Sequence, residues 1–238
     1  MILCIDCGNT RIKWGLLTPK GTWQARGALP LAQVDNLRAA LINQPAFTRV
    51  VGCNVAGAEN AQRIAAQLKS PPEWLVPQRE QCGVKNGYKK PAQLGADRWA
   101  SLIAARSLNV GACVVVNAGT ATTIDLIEAD GHFRGGLILP GLNLMRAALA
   151  HNTADLPHAK ADHHSTPTDT DSAIVSGSLE ATVGAIERMH ARLPGPAVCL
   201  LSGGAADELV PLLQIPLQQV DDLVLKGLAC IALSDNRE

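Results

Sequence analysis

The sequence has few aromatic residues, no excess of either charge and no long apolar run. One tyrosine, two phenylalanines and four tryptophans are too few for a surface that stacks nucleobases. Basic and acidic residues number 21 each, so the net charge is zero and a general nucleic-acid surface is not expected. No apolar stretch approaches the ~20 residues of a membrane span, and no signal peptide is recognisable. We therefore expect a cytoplasmic protein without nucleic-acid or membrane partners.

The seven cysteines are an odd number, and several lie in apolar segments. This usage is typical of reduced, buried thiols in a cytosolic protein. Cys4 and Cys7 have a C-x-x-C spacing, but no second pair or histidine cluster accompanies them, which argues against a zinc or redox site. Apolar residues form 47% of the 238 residues, enough for one large packed domain or two small ones.

One local pattern occurs twice. Near the start, an apolar run ends in Asp6-Cys7-Gly8-Asn9-Thr10 and is followed by further apolar residues. At mid-chain, a second apolar run ends in Asn117-Ala118-Gly119-Thr120 and is also followed by apolar residues. Each copy predicts a buried strand, a tight glycine turn and a return strand. Such turns present free backbone N–H groups and hydroxyls, which suit phosphate oxygens. Two copies indicate two lobes that hold one polyphosphate.

The order of predicted elements repeats as well. Each half is predicted as three successive strands followed by strands that alternate with helices, which implies an α/β fold with mixed sheets flanked by helices. We place an N-terminal lobe at 1–108 and a C-terminal lobe at 109–238. The first half includes a predicted helix over 31–43 and a loop over 79–93. The second includes a polar interruption at 151–169, a helix over 171–193 and another over 205–213.

Four charged side chains are candidates for catalysis or binding. Asp6, at a strand end beside a phosphate-binding turn, is suited to Mg²⁺, and Lys13 on the return strand is suited to a phosphate oxygen. Taken alone, this segment is better explained as an ordinary hairpin, and the second copy at 117–123 shifts the preference to a phosphate-binding turn. Asp97, at the start of a predicted helix, is suited to accept the proton of an attacking hydroxyl. Its neighbour Arg98 would bind an anionic part of the substrate. The alternative is structural: Asp97 interacts favourably with the helix dipole, and Arg98 forms an ion pair.

Other candidate residues are less specific. Ser202-Gly203-Gly204 follows an apolar strand and either admits a flat ligand such as adenine or serves as a structural turn. Tyr88 lies in a glycine loop, where it either forms one wall of a substrate site or covers the edge of a hydrophobic core. The histidines of 151–169 match no zinc spacing, and a solvated flap is the favoured interpretation.

These segments together resemble the type III pantothenate kinases, in the acetate and sugar kinase/actin superfamily. The resemblance extends over nearly the whole chain. It is carried, in order, by Asp6–Lys13, Asn54–Gly57, Asn86–Tyr88, Gly95–Trp99, Gly119–Thr123, Gly135–Gly141, Thr153–Pro157, Thr170 with Ser176-Gly177, Ser202–Gly204 and Leu223–Leu228.

The resemblance implies two ribonuclease H-like lobes and transfer of the ATP γ-phosphoryl group to the primary hydroxyl of pantothenate, the first step of coenzyme A synthesis. It also implies Mg²⁺ at Asp6, a homodimer and Asp97 as the proton acceptor. The residues implied to bind ATP are Asp6, Gly8, Asn9, Thr10, Arg11, Lys13 and Thr120. Those implied to bind pantothenate are Tyr88, Gly95, Ala96, Asp97, Arg98 and Thr170.

One position departs from the family pattern. The family usually has aspartate at the head of the second turn, where it helps to hold a monovalent cation, K⁺ or NH₄⁺, and this chain has Asn117. An amide oxygen can still coordinate a cation, but without charge. We therefore expect weak potassium dependence or a cation held elsewhere. The alternatives are a catalytically weak nucleotide-binding regulatory protein of the same fold and a small-molecule kinase or phosphatase of the same superfamily.

Overall fold

The computed structural model describes residues 1–108 and 111–234. The chain forms two compact units. Of the described residues, the first comprises 1–108, 131–133 and 222–234, and the second comprises 111–130 and 134–221. The last helix, which lies within the expected C-terminal lobe at 109–238, clusters with the first unit.

The strands and helices follow one another in nearly the predicted order. The strands are β1 (Ile2–Cys7), β2 (Arg11–Leu17), β3 (Trp23–Pro30), β4 (Arg49–Asn54), β5 (Glu73–Trp74), β6 (Glu80–Gln81), β7 (Val84–Asn86), β8 (Ala112–Ala118), β9 (Ala121–Ile127), β10 (His132–Pro140), β11 (Ala197–Ser202) and β12 (Leu217–Gln219). The helices are α1 (Leu37–Leu41), α2 (Ala58–Ala66), α3 (Ala96–Leu108), α4 (Leu142–Asn152), α5 (Thr170–His190), α6 (Ala206–Leu209) and α7 (Leu223–Ser234).

The two units use the same sheet plan. In the first, the strand order is β3-β2-β1-β4-β5, with β1, β2 and β3 antiparallel in sequence and β4 and β5 parallel to β1. In the second, the order β10-β9-β8-β11-β12 repeats this plan, with β8 antiparallel to β9 and parallel to β11. The topology therefore matches the α/β fold with two mixed sheets that the repeated sequence order predicts.

Both faces of the first sheet are covered, because alternate residues of β1 point to opposite sides. Ile2 and Cys4 lie in a core with residues of α3 and α7, whereas Leu3 and Ile5 lie in a second core on the other face. In the second unit, α5 packs against one face of the sheet in a core of buried residues. Asp6 has the same parity as Ile2 and Cys4, so its side chain belongs to the face that α3 and α7 cover.

Three of the four tryptophans in the chain pack over a glycine on a neighbouring strand of the first sheet. A Cβ atom added at Gly15 would lie 2.5 Å from the ring of Trp23, and the same addition at Gly27 would meet Trp14 at 2.6 Å. Trp74 covers Gly52 in the same way, at 2.6 Å. Indole rings thus occupy the space that the glycines leave empty, which fills the sheet surface and fixes the strand register.

Some predicted elements differ from the structure. The helix expected over 31–43 is a 3₁₀ turn at Leu31–Asn36 followed by the five-residue α1. The expected loop 79–93 contains the short antiparallel pair β6 and β7 and a 3₁₀ turn at Pro91–Gln93. The helix expected over 205–213 is reduced to α6. Within residues 1–108 and 111–234, no helix has both the length and the apolar character that a membrane crossing requires.

Candidate functional site

The first glycine turn joins β1 to β2. The Gly8 backbone N–H donates to the Arg11 carbonyl at 3.1 Å, which closes the turn, and Asn9, Thr10 and Arg11 are exposed. The Thr10 carbonyl accepts a hydrogen bond from the Leu31 N–H at 2.9 Å, which ties the turn to the sheet. The strand pairing that ends in this turn places Asp6 directly opposite Lys13. The predicted glycine turn is therefore present, and an acid and a base face each other at its root.

In the first unit, the pKa of the Asp6 carboxyl is strongly raised. Burial, followed by repulsion from the Asp97 carboxylate and then from Asp222, raises the pKa of Asp6 from 3.8 to about 7, while the positive charge of Lys13 opposes the shift. Among the described residues no hydrogen bond or ion pair reaches the Asp6 carboxylate. Desolvated carboxylates with a like charge beside them are typical of functional sites. The effect of the Asp97 charge on the Asp6 pKa is consistent with a position of Asp97 in the same charged environment.

Asp97 lies in the first turn of α3 and is partly buried. Burial raises its pKa, although the Arg98 backbone N–H donates to its Oδ1 at 2.8 Å and the Arg98 charge acts in the opposite direction. Gly95 leaves room for this carboxylate, because an added Cβ would lie 2.5 Å from Asp97 Oδ1. A desolvated carboxylate with one oxygen held by a backbone donor is suited to accept a proton from an alcohol.

Arg98 is buried, with 4% of its surface exposed. Its Nη1 donates to the Tyr88 hydroxyl at 2.9 Å, and its guanidinium lies 5.7 Å from the Tyr88 ring centre and 5.9 Å from that of Phe133. The rings of Tyr88 and Phe133 stack at 5.5 Å. The Tyr88 N–H is held by Asn86 Oδ1 at 3.0 Å. The structure thus brings Tyr88 to Arg98, and it adds Phe133, which sequence reasoning missed.

Lys13 has a partner that the sequence did not indicate. Its Nζ donates to Asp222 Oδ1 at 2.9 Å, and Arg26 Nη1 lies 3.6 Å from Asp222 Oδ2. Asp222 directly precedes α7 and has a left-handed backbone with φ of 51°. A positive φ in a residue other than glycine is uncommon and is enriched at functional positions. Asp222 is 209 residues from Lys13 in sequence, so no local pattern could have found it.

The second glycine turn lies in the second unit, between β8 and β9. The Gly119 N–H donates to the Ala121 carbonyl at 3.1 Å, and Gly119 and Thr120 are exposed. Gly203, with φ of 108°, packs so closely on Ala118 that an added Cβ would meet the Ala118 backbone nitrogen at 2.7 Å. This contact supports the structural interpretation of the Ser202-Gly203-Gly204 turn. The second turn, like the first, is a glycine turn closed by a backbone hydrogen bond, although it is one residue shorter, and neighbouring backbone supports it.

Asn117 and Thr123 face each other across β8 and β9. The Thr123 Oγ1 atom is buried without a hydrogen-bond partner among the described residues. A buried hydroxyl with spare lone pairs, opposite an asparagine in the strand register, can supply neutral oxygen to a monovalent cation.

Thr170 is the first residue of α5 and is exposed. The Asp169 side chain caps this helix, because it accepts a hydrogen bond from the Ser172 N–H at 2.9 Å. The preceding irregular segment 153–169 is anchored by the buried Ala159, by the contact of 2.7 Å between His163 Nε2 and Glu180 Oε1, and by the His164 N–H, which donates to Ser176 Oγ at 3.0 Å. The predicted polar flap therefore has no regular secondary structure but is held against the second unit.

The first-unit carboxylates fit a hard divalent cation that a nucleotide brings with it. No group of three or more histidine, cysteine, aspartate or glutamate side chains in the described parts of the chain forms a metal site. Mg²⁺ is usually held by one or two carboxylates together with water and substrate phosphates. Asp6, a desolvated carboxylate without a protein partner, matches that pattern, and Asp97 adds to the local negative charge.

Comparison with known proteins places the chain in a family. The model of the type III pantothenate kinase family matches residues 2–192. A type III pantothenate kinase of Aromatoleum aromaticum is 56% identical over 241 residues, which cover 99% of both chains. One of Azoarcus sp. is 49% identical over 243 residues, which cover 99% of this chain and 92% of the relative.

Solved structures show the same fold at low sequence identity. A Baf family protein of Campylobacter jejuni aligns with a TM-score of 0.64 at 20% identity, over 99% of this chain and 100% of that one. The ethanolamine utilization protein EutJ of Carboxydothermus hydrogenoformans aligns with a TM-score of 0.61 at 15% identity, over 97% of this chain and 88% of that one.

Proposed function

This chain belongs to the type III pantothenate kinase family, and from that premise we propose which residues carry out its reaction. The family assignment makes the chain a kinase that transfers a phosphoryl group from ATP to the primary hydroxyl of pantothenate, in coenzyme A biosynthesis. The match to the family model and the identity of 56% over the full chain carry this conclusion. The roles of individual residues, the metals, the assembly and the cytoplasmic location are proposals.

The nucleotide phosphates are proposed to bind at the two glycine turns. In the first unit, the backbone of Gly8, Asn9 and Thr10 and the side chains of Arg11 and Lys13 supply donors and positive charge. In the second unit, Thr120 supplies a hydroxyl and backbone donors at an exposed turn. The exposure of both turns and the closed hydrogen bond within each support this role. Phosphoryl transfer depends mainly on such positioning and on neutralisation of charge.

Asp6 is proposed to hold Mg²⁺ together with the phosphates. When bound, this ion neutralises charge on the transferring phosphoryl group. The raised pKa of Asp6 supports this role, because a desolvated carboxylate repelled by Asp97 gains from a nearby cation. A monovalent cation is proposed near Asn117, where the amide and the unpartnered Thr123 hydroxyl provide neutral oxygens. We expect this cation to be bound weakly, because Asn117 carries no charge.

Pantothenate is proposed to lie against Tyr88, Gly95, Ala96, Asp97 and Arg98, with Thr170 as a further contact. Asp97 would accept the proton of the attacking hydroxyl, and the Arg98 guanidinium would attract the pantothenate carboxylate. Tyr88 holds that guanidinium at 2.9 Å, so the cation is oriented before substrate arrives. This preorganisation supports substrate binding by the Tyr88–Arg98 pair.

A homodimer is proposed through the second unit. Leu137 and Ile138 of β10 and Leu144 and Leu149 of α4 are 38%, 65%, 46% and 39% exposed. Exposed large apolar side chains on two successive elements support an interaction surface in this unit. Sedimentation analysis tests this proposal: Ile138→Asp should shift the protein toward monomer, and a monomeric wild-type protein would contradict it.

A coupled assay of ADP release tests the function directly. Purified protein with MgATP should release ADP in proportion to added pantothenate. Release independent of pantothenate would indicate a different acceptor within the superfamily. Nucleotide binding without any release would instead favour the regulatory alternative.

A further inference from the structure

Asp222, at the start of α7, forms ion pairs with two basic residues. None of the roles proposed above explains them. One of its carboxylate oxygens accepts from Lys13 Nζ at 2.9 Å, and the other lies 3.6 Å from Arg26 Nη1. Both oxygens therefore face basic side chains. The side chains of Lys13 and Asp222 are 37% and 27% exposed, so the pair is partly shielded from water.

Lys13 has a second acid within reach. Strand pairing places Asp6 directly opposite Lys13, and side chains opposed in this way have Cβ atoms about 4.5–5.5 Å apart. A lysine stem is long and flexible, so an unrestrained ammonium at this position would fold onto the Asp6 carboxylate. The Lys13 hydrogen bond goes to Asp222 instead, and Asp6 is left without a partner among the described residues.

We propose that Asp222 is a positioning residue that draws the Lys13 ammonium away from Asp6 and so keeps the Asp6 oxygens available to the divalent cation of the nucleotide. The inference rests on the proposed function, in which Asp6 holds that cation. Arg26 supports the arrangement, because it balances part of the Asp222 charge. Asp222 thus acts through Lys13 rather than by contact with the reacting atoms.

The last helix fixes Asp222 relative to the rest of the site. The Lys226 N–H donates to the Asp222 carbonyl at 3.0 Å, which joins Asp222 to the first turn of α7. Farther along α7, an added Cβ at Gly227 would meet the Ala100 backbone of α3, with the Ala100 Cα at 2.9 Å. The helix that carries Asp97 and the residue that holds Lys13 are therefore locked together by backbone contact.

The test measures Mn²⁺ binding by electron paramagnetic resonance in the presence of a non-hydrolysable ATP analogue. Asp222→Ala should weaken Mn²⁺ binding by about three- to tenfold, because Lys13 then competes for Asp6. Asp222→Asn keeps a hydrogen-bond acceptor without the charge and should give a smaller loss. Asp221→Asn, which removes a charge from the exposed neighbouring residue, is the matched control and should have no effect.

A double-mutant cycle separates this mechanism from a general loss of charge or of folding. In a Lys13→Met background, Asp222→Ala should change Mn²⁺ binding less than about 1.5-fold, because the competing ammonium is absent. An equal loss in both backgrounds would overturn the proposal, as would unchanged Mn²⁺ binding in Asp222→Ala. Asp222→Asn provides the same comparison if the alanine variant does not fold.

The proposed function and this inference fail in different ways. If wild-type protein releases no pantothenate-dependent ADP, the proposed function fails regardless of Mn²⁺ binding. If wild-type protein is active and the cycle shows no coupling between Lys13 and Asp222, only the inference fails.

Discussion

Replacement of Asp6 by asparagine should stabilise the free protein, and the gain should increase with pH. Burial and the neighbouring acids raise the pKa of Asp6 from 3.8 to about 7, so the fold prefers the protonated acid. Stability from this carboxyl is complete below 3.8, the pKa in the unfolded chain, and it declines as the pH rises toward 7. An amide resembles the protonated acid but does not ionise, so the stability of Asp6→Asn should not show this decline with rising pH.

The size of the effect follows from the shift. At about 1.4 kcal/mol per pKa unit, the rise in the pKa of Asp6 corresponds to a loss of ~4 kcal/mol in the free energy of unfolding above neutral pH. Asp6 is partly exposed, and solvent screening reduces the expected gain to about 2–4 kcal/mol at pH 8. At pH 5 the carboxyl of the folded protein is mostly protonated, and the gain should fall to about 1 kcal/mol.

Urea unfolding of both proteins at pH 5, 6, 7 and 8, without nucleotide or divalent cation, measures this gain. Asp35→Asn is the control, because a hydrogen bond from Arg63 lowers the pKa of Asp35 and its removal should not stabilise the protein at high pH. The reasoning would be refuted if the difference in unfolding free energy between wild type and Asp6→Asn did not change with pH. It would also be refuted if the variant were less stable than wild type. The stabilised variant should also be inactive, as expected where a site trades stability for function.

Three further predictions concern the reaction. Asp97→Asn should lower kcat by about 10²–10⁴-fold with little change in nucleotide binding, and a near-normal kcat in steady-state assays would show that Asp97 is not the base. Tyr88→Phe, which removes the hydroxyl held by Arg98 at 2.9 Å, should raise KM for pantothenate by about three- to tenfold and leave KM for ATP unchanged; equal changes in both constants would contradict this role. Rates in potassium and in a bulky organic cation should differ little for the wild type and clearly for Asn117→Asp, and a large loss without potassium in the wild type would exclude weak dependence.

The features that could be predicted from the sequence are those set by neighbouring residues. A short apolar run and a glycine turn determine β1 and β2, and the same local pattern determines β8 and β9. The start of α3 near Asp97 follows from an acid in the first turn of an apolar helix, which begins at Ala96. Because both halves carry these local patterns, the duplicated α/β architecture could be predicted.

The features that were missed depend on contacts between distant segments. The short strands β6 and β7 escape notice because glycine and proline dominate the local signal of 79–93. Asp222 reaches Lys13 across 209 residues, and Phe133 stacks on Tyr88 from a different part of the chain. The assignment of α7 to the first unit depends on its packing against α3, which no local pattern encodes.

The most direct test of the account follows radiolabel from [γ-³²P]ATP into pantothenate. Wild-type protein with Mg²⁺ should form labelled phosphopantothenate, and Asp97→Asn should form it at least about 100-fold more slowly while it binds nucleotide normally. Release of labelled inorganic phosphate without labelled phosphopantothenate would contradict the account, as would undiminished labelling by Asp97→Asn.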